Sequence, residues 1–203
     1  MARRRLKPPV VFLTGTFTEF VGNRDQPSAL ISRPVLFLLG PAGSGKTTVA
    51  RHCLGYDAPI IRKDTMFDLL IRRVLDRTWD HTEICNHERL ILEIPSLVGN
   101  KTQMTKLLTE LINHRSRNGK RTAILDSEDN ASLQGLMASI ESTTRVSIVL
   151  RFPEGKGKYR FLAHRCKKQN ISLRHARRLA KYEPWTYRTV LTELEKVVVQ
   201  EQQ

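Results

Sequence analysis

The chain has 203 residues, of which 40% are hydrophobic and 27% charged, with a formal net charge of +14. That length suits one domain of ordinary size with a small appendage and excludes two full domains, and the balance of apolar and charged residues excludes a disordered chain. No apolar run approaches the roughly 20 residues of a bilayer span, and Met1-Ala-Arg-Arg-Arg-Leu-Lys-Pro-Pro lacks a signal peptide's apolar stretch, so a cytoplasmic protein without a membrane partner is expected.

Cys53, Cys85 and Cys166 are odd in number and lie far apart, without C-x-x-C spacing, which reads as reduced structural thiols. Residues 151–203 carry 13 Lys/Arg against 5 Asp/Glu, leaving +6 of the net charge to the first 150. Such an excess points to an anionic partner, nucleic acid among them, or to a solvated basic face.

In chain order, residues 1–9 read as a disordered basic arm, and Val10–Leu13 as a short apolar stretch before a Gly-containing turn. After a proline-bearing segment, Val35-Leu-Phe-Leu-Leu39 has the unbroken apolar character of a parallel strand buried on both faces. A helix is expected from Thr47 to Leu54, ended by Gly55, then a short strand at Ala58–Ile61. Asp64 is placed to cap a following helix, over 64–77, whose stripe of Met66, Phe67, Leu70, Ile71, Val74 and Leu75 leaves Arg72, Arg73 and Arg77 elsewhere.

Leu90–Ile94, Thr122–Leu125 and Val146–Leu150 read as further buried strands, with an amphipathic helix at Met104–Asn113 running into a polar segment, His114–Lys120. Beyond Pro153 the pattern holds no strand candidate, only helical segments at about 156–169, 172–181 and 185–199. The alternation predicts an α/β fold: a three-layer core with a parallel sheet, residues 10–153, followed by a small basic helical subdomain, 154–203.

One motif carries chemistry. Gly40-Pro41-Ala42-Gly43-Ser44-Gly45-Lys46-Thr47, with Thr48 behind it, satisfies G-x-x-x-x-G-K-[ST] between a buried strand and a helix. Its glycines let successive N–H groups curl around phosphate oxygens at a helix N-terminus; Lys46 would reach the β- and γ-phosphates of ATP or ADP, and the Thr47 hydroxyl would ligate Mg²⁺. A P-loop also needs a strand-end carboxylate for the metal shell and the attacking water, and Glu93 is the candidate.

Several segments resemble, in the same order, the AAA+ ATPase domain of the DnaA/Hda replication-initiator family. Thr16-Phe-Thr-Glu-Phe-Val-Gly-Asn23 resembles the T-F-x-x-F-V-x-G segment that packs on adenine, which implies nucleotide contacts from Phe17, Phe20 and Val21. Leu92-Glu-Ile-Pro-Ser-Leu-Val-Gly99 resembles D-D-I-Q-F-L-A-G, and Gly119–Ser127 resembles the strand that ends in sensor one, which implies that role for Asp126 and Ser127. Trp185-Thr-Tyr-Arg-Thr-Val-Leu191 resembles the lid's N-V-R-E-L and would make Arg188 the sensor-two arginine, catalytic together with Glu93. The helix at 64–77 matches one that lines a single-stranded DNA channel, so Arg72 and Arg73 become DNA contacts by resemblance.

The match runs from about 14 to 199, with two departures: Leu92 stands in place of the first acid, and Leu136–Ser142 holds no arginine finger, while Arg145 just precedes a strand. With the chain ending at Gln203, no helix-turn-helix domain for reading a duplex site is expected. The resemblance implies an ATP-binding protein acting in or regulating DNA replication initiation, with ATP mainly a conformational switch and weak hydrolysis at most. Its partners would be an AAA+ replication protein, or another copy of itself, and single-stranded DNA. Two alternatives remain: a small P-loop kinase, with Asp64 orienting an acceptor hydroxyl, and a non-hydrolysing adaptor that keeps the fold.

Overall fold

The computed structural model describes residues 10–14, 32–76, 81–94, 101–127, 131–141 and 144–201. Six strands form one sheet: β1 (Val10–Thr14), β2 (Val35–Leu39), β3 (Ile60–Ile61), β4 (Arg89–Glu93), β5 (Arg121–Asp126) and β6 (Arg145–Arg151). All neighbouring pairs are parallel and the order is β1-β6-β2-β5-β4-β3. A parallel sheet must bury both faces, and the side-chain alternation of its strands divides the core in two. Leu36, Leu38, Ile91, Ala123 and Leu125 pack with Val49, Ala50, Cys53 and Leu54 of α1 (Lys46–Leu54) on one face. Val35, Phe37, Leu92 and Ile124 pack on the other, beneath α2 (Lys63–Asp76), α3 (His81–Asn86), α4 (Lys101–Arg117) and α5 (Ala131–Ser139). The expected three-layer parallel α/β architecture is therefore present.

Some local expectations need correction. Val10–Thr14 is the edge strand, paired with Ser147–Arg151, and the strand expected at Ala58–Ile61 shrinks to two residues against β4. Helix α2 begins at Lys63, so Asp64 lies inside its first turn, where its charge complements the helix dipole instead of capping it. Helices α3 and α5 were not expected; α3 has only six residues, too few for a periodic signal.

Helix α4 runs on to Arg117, through residues expected to be a polar connection. Tertiary bonds hold that extension: the Arg115 side chain is 0% exposed, and its Nε, Nη1 and Nη2 donate to Thr122 Oγ1 (2.9 Å), Ile84 O (2.6 Å) and Arg121 O (3.1 Å). Lys120 Nζ donates to Cys85 O. Two cations thus close the C-terminal carbonyls of α3, where the helix dipole favours positive charge. Cys53, Cys85 and Cys166 are free and buried, as expected of structural thiols.

After β6, α6 (Lys156–Lys168), α7 (Leu173–Leu179) and α8 (Tyr187–Glu201) gather around a third apolar cluster holding Phe161, Leu162, Cys166, Ala176, Trp185, Val190 and Leu194. Phe161 meets Tyr187 edge-on with centroids 4.9 Å apart, and Phe152, just past β6, meets Trp185 at 6.1 Å. These contacts tie the helical segment to the end of the sheet. No helix among the described residues is long and apolar enough to cross a membrane.

Candidate nucleotide site

The glycine loop leaves the central strand at its C-terminal end, with β5 on one side and β6 on the other. Gly40 N–H donates to Asp126 O (3.2 Å). A Cβ at Gly40, whose φ is +145°, would stand 2.3 Å from Leu150 O, so only glycine lets the chain pass between the two strand ends. Ser44 N–H then donates to Pro41 O (3.2 Å), and Val49 N–H to Gly45 O (3.0 Å) opens α1. Gly45 is left-handed at φ 89° and no side chain among the described residues caps this helix, which leaves the first N–H groups of α1 facing the loop without a side-chain acceptor among them.

Lys46 turns back into this cradle, its Nζ donating to Gly40 O (2.6 Å) and Pro41 O (2.8 Å). Burial pushes its ammonium below the ordinary lysine range; Asp126 and Glu93 oppose that shift and Lys63 adds to it. The hydroxyl of Ser44 is buried and has no hydrogen-bond partner among the described residues. Uncapped N–H groups, an unpartnered hydroxyl and a lysine held only by loop carbonyls form a set that polyphosphate oxygens satisfy.

Pro41 and Ala42 are exposed, Gly43 and Thr47 half-buried, and Thr48 exposed on the first turn of α1. Glu93 ends β4 two strands from the loop, and Asp126 lies beside Leu39. Strand alternation puts Glu93 on the α1 face with Ile91, where Oε1 accepts from Arg62 Nη1 at 3.3 Å. Leu92 points to the opposite face, fully buried beside Phe37 and Met66. A carboxylate at that position would lie in this apolar cluster. Asp126 is buried and its Oδ1 accepts from Ser127 N–H at 2.7 Å.

Arg188 is exposed in the first turn of α8. Its neighbour Thr186, which the sequence reading passed over, is the residue that brings this helix to the loop: a Cβ at Gly43 (φ +75°) would meet Thr186 Cβ at 3.0 Å and Oγ1 at 3.2 Å. Thr189 N–H donates to Thr186 Oγ1 (3.0 Å) and Thr186 N–H to Thr189 Oγ1 (3.0 Å), a reciprocal cap with threonine at the far position. The T-x-x-T spacing ahead of an apolar helix was the available signal. Arg62 and Lys63, which flank Glu93 and Lys46, had none. Arg72 is exposed on α2; the side chain of Arg73, and Phe17, Phe20 and Val21, lie outside the described residues.

Comparison with solved structures bears on the fold. Domain III of the replication initiation protein DnaA from Thermotoga maritima superposes with a TM-score of 0.65 at 15% identity, over 94% of this chain and 87% of that one. The chain has the fold of the DnaA AAA+ domain. AMPPCP-bound DnaA from Aquifex aeolicus gives 0.65 at 15% identity, over 92% of this chain and 62% of that one. DnaA bound to AMPPCP and single-stranded DNA gives 0.64 at 14%, over 90% and 61%. The chain thus spans about three-fifths of those longer initiators. No family model and no curated protein matches the sequence.

Proposed function

We propose that the chain is a DnaA-like AAA+ nucleotide switch that binds ATP with Mg²⁺ at the 40–48 loop and acts in or regulates DNA replication initiation. The observation that carries this reading is the seat of Thr186, the N-cap of α8, against Gly43 in the loop. A helix resting on the phosphate loop moves when the loop takes an occupant, and Arg188, two residues on, moves with it.

The residues divide the work. Lys46 exchanges its two carbonyl partners for phosphate oxygens, the N–H groups at the start of α1 bind the same anion, and Arg188 closes onto it from the lid. The Thr47 hydroxyl and Glu93 would hold Mg²⁺, which would supply positive charge against the phosphates. Asp126 and Ser127 report the occupant to β5. The Arg62–Glu93 contact ties up the one strand-end carboxylate on the α1 face, which favours a switch with slow hydrolysis over a fast ATPase. The two longer DnaA structures, one with AMPPCP and one with AMPPCP and single-stranded DNA, support nucleotide as ligand and a DNA-linked role, with Arg72 and Arg73 of α2 as strand contacts.

Calorimetry with ATP and ADP in the presence of Mg²⁺, on the wild type and Lys46→Ala, tests the reading while phosphate release is followed in the same samples. Binding that disappears in the variant, with slow or no release, is expected. A wild type that binds neither nucleotide sinks it, and phosphate transfer to a small acceptor replaces it with a kinase.

A further inference from the structure

The charge of the helical segment is segregated. Residues 155–182 contain ten Lys/Arg and no Asp/Glu, whereas residues 183–203 contain two Lys/Arg and four Asp/Glu. A basic face kept for solubility mixes its signs over the surface; here the stretch of the α6–α7 hairpin takes ten of the twelve cations and none of the acids.

Both hairpin helices turn their apolar stripes, Phe161, Leu162 and Cys166 on α6 and Ala176 and Leu179 on α7, into the shared cluster. The opposite faces are therefore outward. On α6 that face carries Lys156, Arg160, Lys167 and Lys168, all exposed, at helical spacing. On and after α7 it carries Arg177, Arg178 and Lys181, also exposed.

None of these seven has an ion-pair partner among the described residues. The other cations are engaged: Lys158 with Glu183 and over Trp185, Arg165 over Phe161, and Arg174 with Glu201. Like charges four residues apart, as at Lys156 and Arg160, oppose helix formation unless an anion lies across them. A step of four residues advances about 6 Å along a helix axis.

We propose that the outward face of the α6–α7 hairpin binds the phosphodiester backbone of duplex nucleic acid without regard to sequence. Two features select this occupant. A protein partner needs apolar or aromatic anchors at the centre of its contact, and the hairpin's described surface exposes one large hydrophobic side chain, Tyr182. Single strands are held by stacking bases on several exposed aromatic rings, and here only Tyr182 is exposed, while Phe161, Trp185 and Tyr187 are turned into the cluster. A field of unpaired cations suits the regular backbone of a duplex. These residues are distinct from those of the glycine loop and from Arg72 on α2, and the proposal stands or falls independently of nucleotide binding.

Fluorescence anisotropy of a short mixed-sequence duplex, titrated with the full chain over a series of salt concentrations, tests it. The exposed lid triple Arg160→Gln, Lys167→Gln, Arg177→Gln is compared with an exposed core triple of equal charge change, Arg51→Gln, Lys106→Gln, Arg117→Gln, after thermal unfolding confirms that both fold. The lid triple is expected to bind about tenfold more weakly or worse and to flatten the log–log salt slope by about 2.7, at about 0.9 per lost phosphate contact, while the core triple stays close to the wild type. Equal weakening by the core triple would reduce the effect to a diffuse field and overturn the proposal. So would unchanged binding by the lid triple, tighter binding of the matching single strand, or displacement of the duplex by a polyglutamate peptide at equal negative charge.

Discussion

Lys46 at the C-terminal edge of the sheet and Arg115 at its other end are both cations drawn out of water, and burial lowers the pKa of each. Arg115 gives its donors to a threonine hydroxyl and two carbonyls fixed in or beside α3 and β5. Lys46 gives its own to two carbonyls of a glycine loop, with an unpartnered buried hydroxyl, Ser44, close by. A buried cation whose partners belong to regular elements is part of the architecture. One whose partners lie in a loop, beside unsatisfied donors and two carboxylates, is placed to exchange them for a ligand.

Substitution at the two ends should separate these roles. Arg115→Met leaves Ile84 O, Arg121 O and Thr122 Oγ1 without their donor and should destabilise the protein by about 3 kcal/mol in urea unfolding, with the affinity of the folded fraction for nucleotide unchanged. Lys46→Ala should do the reverse: a loss of about 100-fold in ATP affinity, or about 2.7 kcal/mol, with unfolding free energy within about 0.5 kcal/mol of the wild type. If Lys46→Ala cost as much stability as Arg115→Met, the distinction would collapse and the loop would be structural.

The same contrast explains what the sequence could reveal. Strand β2 and the loop after it are legible because both signals are local: five apolar residues in a row, then glycines at fixed spacing before Lys46 and Thr47. The three helices after β6 were legible from their periodicity. The extension of α4 through Arg115 was not, because it depends on carbonyls of α3 that nothing near residues 114–117 encodes. The face that Leu92 takes is not legible either, because residue type alone does not say to which side of a strand a side chain points; only the strand's pairing and burial supply that. Thr186 escaped because its meaning lies in a contact with Gly43, distant in the chain.

That contact gives the next smaller effect. Thr186→Ala removes the acceptor of Thr189 N–H and one half of the reciprocal cap, and should cost about 1 kcal/mol in unfolding free energy. If the lid reports on the loop through this residue, the same change should also reduce the difference between ATP and ADP affinity measured by calorimetry. A loss of stability with that difference intact would make Thr186 a cap and nothing more.

The smallest effect is one of pH, and its sign distinguishes burial from the carboxylates as the dominant influence on Lys46. Burial holds the ammonium's pKa down, against Asp126 and Glu93. A lysine whose folded pKa lies below its unfolded value of about 10.4 gives up its proton earlier in the folded state. Between the two pKa values the unfolded chain therefore holds more protons, and stability rises with pH across that window. Below the window both states are charged and the penalty of burying the ammonium is fully present; above it both are neutral and the penalty is gone. Urea midpoints of the wild type and Lys46→Met, compared from about pH 8 to about pH 10.5, should show the wild type gaining on the variant. Cys53, whose thiol burial pushes up to about 11, titrates in both proteins and cancels in the difference. A wild type that instead loses ground as pH rises would mean that Asp126 and Glu93 outweigh burial, and that Lys46 is held in place by a salt-bridge pair already formed before any phosphate arrives.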